Sequence, residues 1–165
     1  MAPVYSSLCE GIEASSLARS VSGLNHTWAA VQSLHLIAMA VMVATVTLFD
    51  LRLLGVALHR VPVSRLADRL LPATWSAFAC MALTGGLMFI GKPQVYCVNW
   101  VFAAKLGLIG LAGINMSVFH FTIYRNVASW DGSSTTPLSA KVVGSISVIL
   151  WASVVFAGRW IGFVS

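Results

Sequence analysis

Apolar and polar positions alternate along this chain in long blocks rather than in a short period. Four apolar runs stand out, from about Trp28 to Leu58, Pro72 to Ile90, Trp100 to Tyr124 and about Leu138 to Phe163. Each is close to or above the about 20 helical residues that cross a hydrocarbon core. Short breaks separate them, at Pro62, at Gly91-Lys92-Pro93 and at Asp131-Gly132-Ser133-Ser134 with Pro137. Short connections make consecutive helices antiparallel neighbours. The pattern therefore predicts an all-α protein, a four-transmembrane-helix up-down bundle over 28–165. Pro72 is expected at the first turn of the second helix, where a missing N–H does no harm. Ahead of the bundle, over 1–27, Leu17, Val21, Leu24 and Trp28 recur at helical spacing with Ser15, Ser16, Ser20, Ser22 and Asn25 between them. That predicts a short N-terminal amphipathic helix on the membrane surface.

Composition sharpens this. Of 165 residues, 58% are hydrophobic and 9% charged, against about 25% charged in a soluble domain. Mean hydropathy is +0.86, so most of the surface is expected to face the lipid bilayer. The net charge of +5 does not point to nucleic acid, because the basic residues are scattered and form no patch interleaved with aromatics. They do suggest an orientation. The first loop and its flanks carry Arg52, Arg60, Arg65 and Arg69, and the third loop carries Arg125 and Lys141; Arg19, Lys92, Lys105 and Arg159 lie on the other side. The positive-inside rule puts the two loops in the cytoplasm and both termini outside. Trp28, Trp100 and Trp160 then mark the outer interface, and Trp75, Tyr124 and Trp130 the inner one. The N-terminus shows no basic region followed by an apolar one, so no cleavable signal peptide is expected. Cys9 and Cys97 fall on the outer side and can pair if that side is oxidising, whereas Cys80 reads as a small core residue.

Polar groups inside apolar helices are costly and mark sites. Here they are His35 and Asp50 in the first span, Lys105, Asn115 and His120 in the third, and Arg159 in the fourth. His35 to Asp50 is fifteen residues, and so is Lys105 to His120. Fifteen residues rise about 22 Å and turn about 60° beyond whole turns, and the two helices run the same way. The spacing predicts an inner cluster of Asp50 with His120 and Arg52, and an outer cluster of His35 with Lys105 and Arg159. The inner cluster also reads as a helix-tying ion-pair network, and Lys105 and Arg159 as side chains snorkelling to headgroups. A small-residue stripe, Ala103, Gly107, Gly110, Gly113 and Ser117, reads as packing within the bundle or as a subunit interface.

Haem b or a chlorin pigment needs facing ligands at one depth. His35 and His120 lie at opposite depths in this topology, and His59 could join His120 only if the first helix continues that far. Single-histidine ligation with Met42, Met81 or Met88 is a further option. No His/Cys cluster has the ligand spacing of a metal site, and no nucleophile elbow, P-loop, HExxH or GxGxxG occurs, so enzyme activity is unsupported.

The runs Gln32-Ser33-Leu34-His35, Asp50-Leu51-Arg52-Leu53-Leu54-Gly55, Thr84-Gly85 with Phe89, Ala112-Gly113-Ile114-Asn115, Phe119-His120 and Gly158-Arg159, with Pro72 and Lys105, resemble a family of bacterial four-helix membrane proteins carrying a domain of unknown function. The resemblance runs from about Leu17 onward. It implies the bundle, an inner-membrane location and a common role for the polar residues, and it supplies no reaction. The leading expectation is a non-enzymatic inner-membrane subunit, an accessory component of a larger membrane complex or a homo-oligomer. The alternatives are a haem- or pigment-binding cytochrome-like electron-transfer protein and a small transporter or channel.

Overall fold

The computed structural model describes residues 9–22, 25–131, 133 and 135–164, without the side chains of residues 17 and 22–27. Four of its helices are long and apolar enough to cross a membrane. We number the helices α1 (Ser16–Ser22), α2 (Asn25–Leu54), α3 (Val63–Gly91), α4 (Pro93–Cys97), α5 (Trp100–Val118) and α6 (Leu138–Val164). After α5 the chain continues through a π-helical turn, Phe119–Ile123, and a 3-10 segment, Tyr124–Ser129. Among the described residues there is no β-strand.

Local chemistry sets the helix ends. α2 stops at Leu54, four residues short of the expected end, because Gly55 takes a φ of +74°. The amide of Val56 then bonds the Leu51 carbonyl, and that of Gly55 the Arg52 carbonyl, the double bond of a Schellman ending. α3 begins at Val63, nine residues before the expected start, so Pro72 lies inside the helix. The intervening turns carry Arg65, Asp68 and Arg69, which hid them from a search for apolar runs. Asp131, from the third loop, closes the start of α3, its Oδ1 accepting from the Ser64 amide at 2.9 Å and its Oδ2 from the Ser64 hydroxyl. Asn99 caps α5, accepting from the amides of Val101 (3.0 Å) and Phe102 (3.4 Å). Its side-chain amide donates to the Ile161 carbonyl at 3.4 Å, joining α5 to α6.

The four long helices are not equally packed. α2 lies against α3, α5 against α6, and α2 against α6, giving a row in the order α3–α2–α6–α5. The close approach of α2 and α6 depends on Gly144. A Cβ there would sit 3.3 Å from the Leu53 Cβ and 3.5 Å from the Asp50 carbonyl oxygen. One core cluster joins α2 to α3 through Ala38, Met42, Ala77 and Met81. A second, of Leu53, Val63, Phe119 and Ala140, gathers the end with the first and third loops. The third joins α5 to α6 through Val101, Ala157 and Ile161.

α3 and α5 form the two edges of the row. At the end with the termini their side chains meet, Phe89 stacking on Phe102 at 5.6 Å with Tyr96 5.1 Å from Phe102. Below that contact the edges separate.

The N-terminal segment is fastened to this same end. Cys9 is disulfide-bonded to Cys97 and Gln94 donates to Glu13 at 2.6 Å, while at the start of α2 the Trp28 ring carries the Lys92 ammonium 5.1 Å from its centre. A short helix does precede α2. Its expected apolar face rests on Leu17 and Leu24, which lie outside the described side chains.

Candidate functional site, an intramembrane cleft

The gap between α3 and α5 forms a cavity of about 210 Å³ that all four long helices line. Its floor is α2 and α6, and its sides are α3 and the π turn with the last turns of α5. Phe49, Trp75, Phe78, Phe119, Tyr124 and Trp151 give it an aromatic wall. It opens sideways, since Trp75, Gly113, Met116 and His120 on its lining are exposed.

Asp50 sits on the floor. Its side chain is 3% exposed, and carboxylate oxygen Oδ2 has no hydrogen-bond partner. The polar neighbour of the carboxyl group is the Ser147 hydroxyl from α6. Burying a carboxylate oxygen that no protein donor reaches is expensive unless something in the cleft makes up the hydration it has lost. The neighbouring polar groups are already committed. Thr74 donates to Thr45 at 2.9 Å, while the Thr45 hydroxyl is also within reach of the Val41 and Met42 carbonyls. The Asn115 side-chain amide donates to the Val143 carbonyl at 3.1 Å.

His120 shares the cleft with Asp50, at the level their spacing predicts. It is exposed and stacks on Tyr124, with ring centres 5.7 Å apart and planes 14° apart. The π turn carrying it puts one extra residue into a helical turn and so re-aims the side chains that follow, a distortion common at sites. Among the described residues, no hydrogen bond joins His120 to Asp50 or to Ser147.

Arg52 does not join Asp50. It is 1% exposed and turns to the first and third loops, where its Nε donates to the Val61 carbonyl at 2.7 Å and its terminal nitrogen to the Thr136 hydroxyl at 3.1 Å. Its charge also acts on Asp131. Burial alone would raise the Asp131 carboxyl, but the Ser64 bonds, helped by Arg52, outweigh it and hold the group below the usual carboxylate range. The Arg52–Thr136 and Ser64–Asp131 bonds thus tie the first and third loops together.

At the other end, His35 hydrogen-bonds the Thr84 hydroxyl across Nδ1 at 2.8 Å and lies against Gly85. Lys105 is half-buried and close enough for its charge to act on His35. Its Nζ lies 3.4 Å from where a Cβ on Gly158 would be. Arg159 is exposed, so the structure brings together His35 and Lys105 and leaves Arg159 on the surface.

His59 lies in the loop after α2 and is exposed. The helical continuation that would carry it toward His120 is absent. His35 and His120 have separate surroundings and do not face one another across a common space. Gly107, Gly110 and Gly113 have open space where a Cβ would go, so the small-residue stripe is an exposed face of α5 rather than packing inside the bundle.

Sequence reasoning found Asp50, Asn115 and His120, and missed Ser147, Thr74, Trp75 and Trp151 on the same cleft. Hydroxyls and tryptophans are common in membrane helices, and only the open α3–α5 edge gives these their place. Comparison with curated proteins and with solved structures returned no match. The family model for the family of unknown function DUF6644 matches residues 10–164, and the chain belongs to that family.

Proposed function

We propose that this is a non-enzymatic protein of a cytoplasmic membrane that binds a lipid-soluble small molecule between α3 and α5. The observation that carries the reading is the cleft itself, aromatic-walled, lined by all four long helices and open to the side. In a bilayer that opening faces acyl chains, so a ligand enters from lipid without crossing the protein. An apolar pocket with a few convergent polar groups is the usual form of a small-molecule site. The basic first and third loops favour the cytoplasmic side for the Asp50 end. The Cys9–Cys97 disulfide supports an oxidising compartment for the other end.

The stripe on α5 favours a second reading, an accessory subunit or homo-oligomer. Its glycines are exposed and unobstructed, the surface against which a second helix backbone packs closely. The two readings meet at Gly113, which belongs to the stripe and also lines the cleft, while Gly107 and Gly110 lie outside the lining.

Photolabelling of the protein in native membranes with a small aromatic diazirine tests the first reading. The expected result is saturable labelling on Trp75 and Met116, lost when Gly113→Phe narrows the cleft, over a background that rises linearly with probe. Linear labelling at every exposed position, unchanged by Gly113→Phe, overturns it.

A further inference from the structure

Asp50 narrows the class of ligand. Its carboxyl is nine-tenths buried or more, lines the cleft, and leaves Oδ2 without a partner. A lone ionised carboxylate at this depth is costly, so its charge must be balanced by a proton or by something the cleft admits. The groups that face it supply no balance. α2 contributes no cation to the cleft, since the Arg52 guanidinium is held by Val61 and Thr136. α3 lends Thr74 and no charged side chain, α6 lends Ser147, and the π turn and the 3-10 segment after α5 lend His120 and Tyr124, ring-stacked on each other. Among the described residues, no Lys or Arg lines the cavity. The wall around the acid is aromatic, and aromatic faces attract cations through their ring quadrupoles, most strongly where water is excluded.

We propose that the occupant of the cleft is a lipid-soluble organic cation, which takes the place of a proton on Asp50. This rests on the ligand-binding reading above. When the cation enters, the O–H bond of the Asp50 carboxyl breaks, its electron pair stays on the carboxylate and the proton leaves to solvent. A monovalent cation has then replaced one proton and the net charge of the site is unchanged. Aromatic rings and a delocalised or shielded positive charge are the features the site recognises. A strongly hydrated ammonium is not, because the cleft offers few acceptors to replace its water.

Tetraphenylphosphonium is the probe, and tetraphenylborate is its anionic counterpart of the same shape. Binding of radiolabelled tetraphenylphosphonium to the purified full chain in neutral detergent is measured by equilibrium dialysis from about pH 5 to about pH 9. The expected result is saturable binding that weakens as pH falls, because protons compete for Asp50. Asp50→Asn should weaken it about tenfold or more, the scale of a desolvated charge pair, and flatten its pH dependence. Asp50→Glu should restore both, and His120→Gln should keep the pH dependence. Tetraphenylborate should not compete. Equal binding of the borate, with no effect of Asp50→Asn, overturns the cation inference while leaving the cleft as a site for uncharged ligands. Loss of the pH dependence in His120→Gln but not in Asp50→Asn also overturns it. No saturable tetraphenylphosphonium binding overturns it as well, and the diazirine experiment then decides whether the cleft reading survives.

Discussion

Asp131 and Asp50 are both carboxylates near the same end of the bundle, and their surroundings give them opposite roles. Asp131 accepts from the Ser64 amide and hydroxyl and feels the Arg52 charge. Those interactions favour its ionised form, so it works as a cap delivered from another loop. Because its folded titration lies below that of a free carboxyl, near about 3.9, its contribution is complete at neutral pH. It is lost as pH falls through the lower folded value. Asp131→Asn should therefore lower stability at neutral pH by about 1 kcal/mol, the usual scale of a helix cap. Thermal melts of both forms in detergent should converge as the pH falls through that lower folded value, where the wild-type group also becomes neutral. A difference that persists undiminished into acid would mean that the carboxylate charge plays no part. Arg52, adjacent to this network and fully buried, could not be assigned from sequence. Its partners are a main-chain carbonyl and a threonine 84 residues away, and neither carries a pattern. The spacing of Asp50 and His120 was legible because helical geometry alone sets relative depth. Arg159 fell outside its expected cluster because spacing sets depth and not which way a side chain faces.

At the scale of elements, hydropathy located the four long helices and misjudged two of their ends. α2 ends early because Gly55 adopts the left-handed conformation, and α3 begins early because charged turns are as helical as apolar ones when a cap supports them. The π turn at Phe119–Ile123 had no signal in the sequence, where Phe-His-Phe-Thr-Ile fits an uninterrupted α-helix. The N-terminal segment is the element held most unusually, by a disulfide that closes 88 residues of chain. Cys80 is the free cysteine. Alkylation of denatured protein from its native membrane, followed by intact mass, should therefore show one modified thiol before reduction and three after. Three before reduction would leave the N-terminal segment untied and remove the disulfide's support for an oxidising outer side.

For the molecule as a whole, the telling property is the gap in its row of helices. Four helices in an up-down order were readable from the chain, but neighbour relations were not. Nothing in the apolar runs says that α3 and α5 part company below the Phe89–Phe102 contact. That separation turns a buried acid into the floor of a cleft. In a closed bundle Asp50 would need an internal partner, and Arg52, two residues away, is engaged elsewhere.

On the ligand-binding reading proposed above, Asp50 is reached from the lipid through this opening. Dicyclohexylcarbodiimide, a lipid-soluble reagent for protonated carboxyl groups, tests it most directly when applied to native membranes and followed by peptide mass mapping. A stable adduct is expected on Asp50, with none from a water-soluble carbodiimide at that residue and protection by tetraphenylphosphonium. Asp50 left unmodified by the lipid-soluble reagent, while other buried carboxyls in the same membranes react, would contradict it.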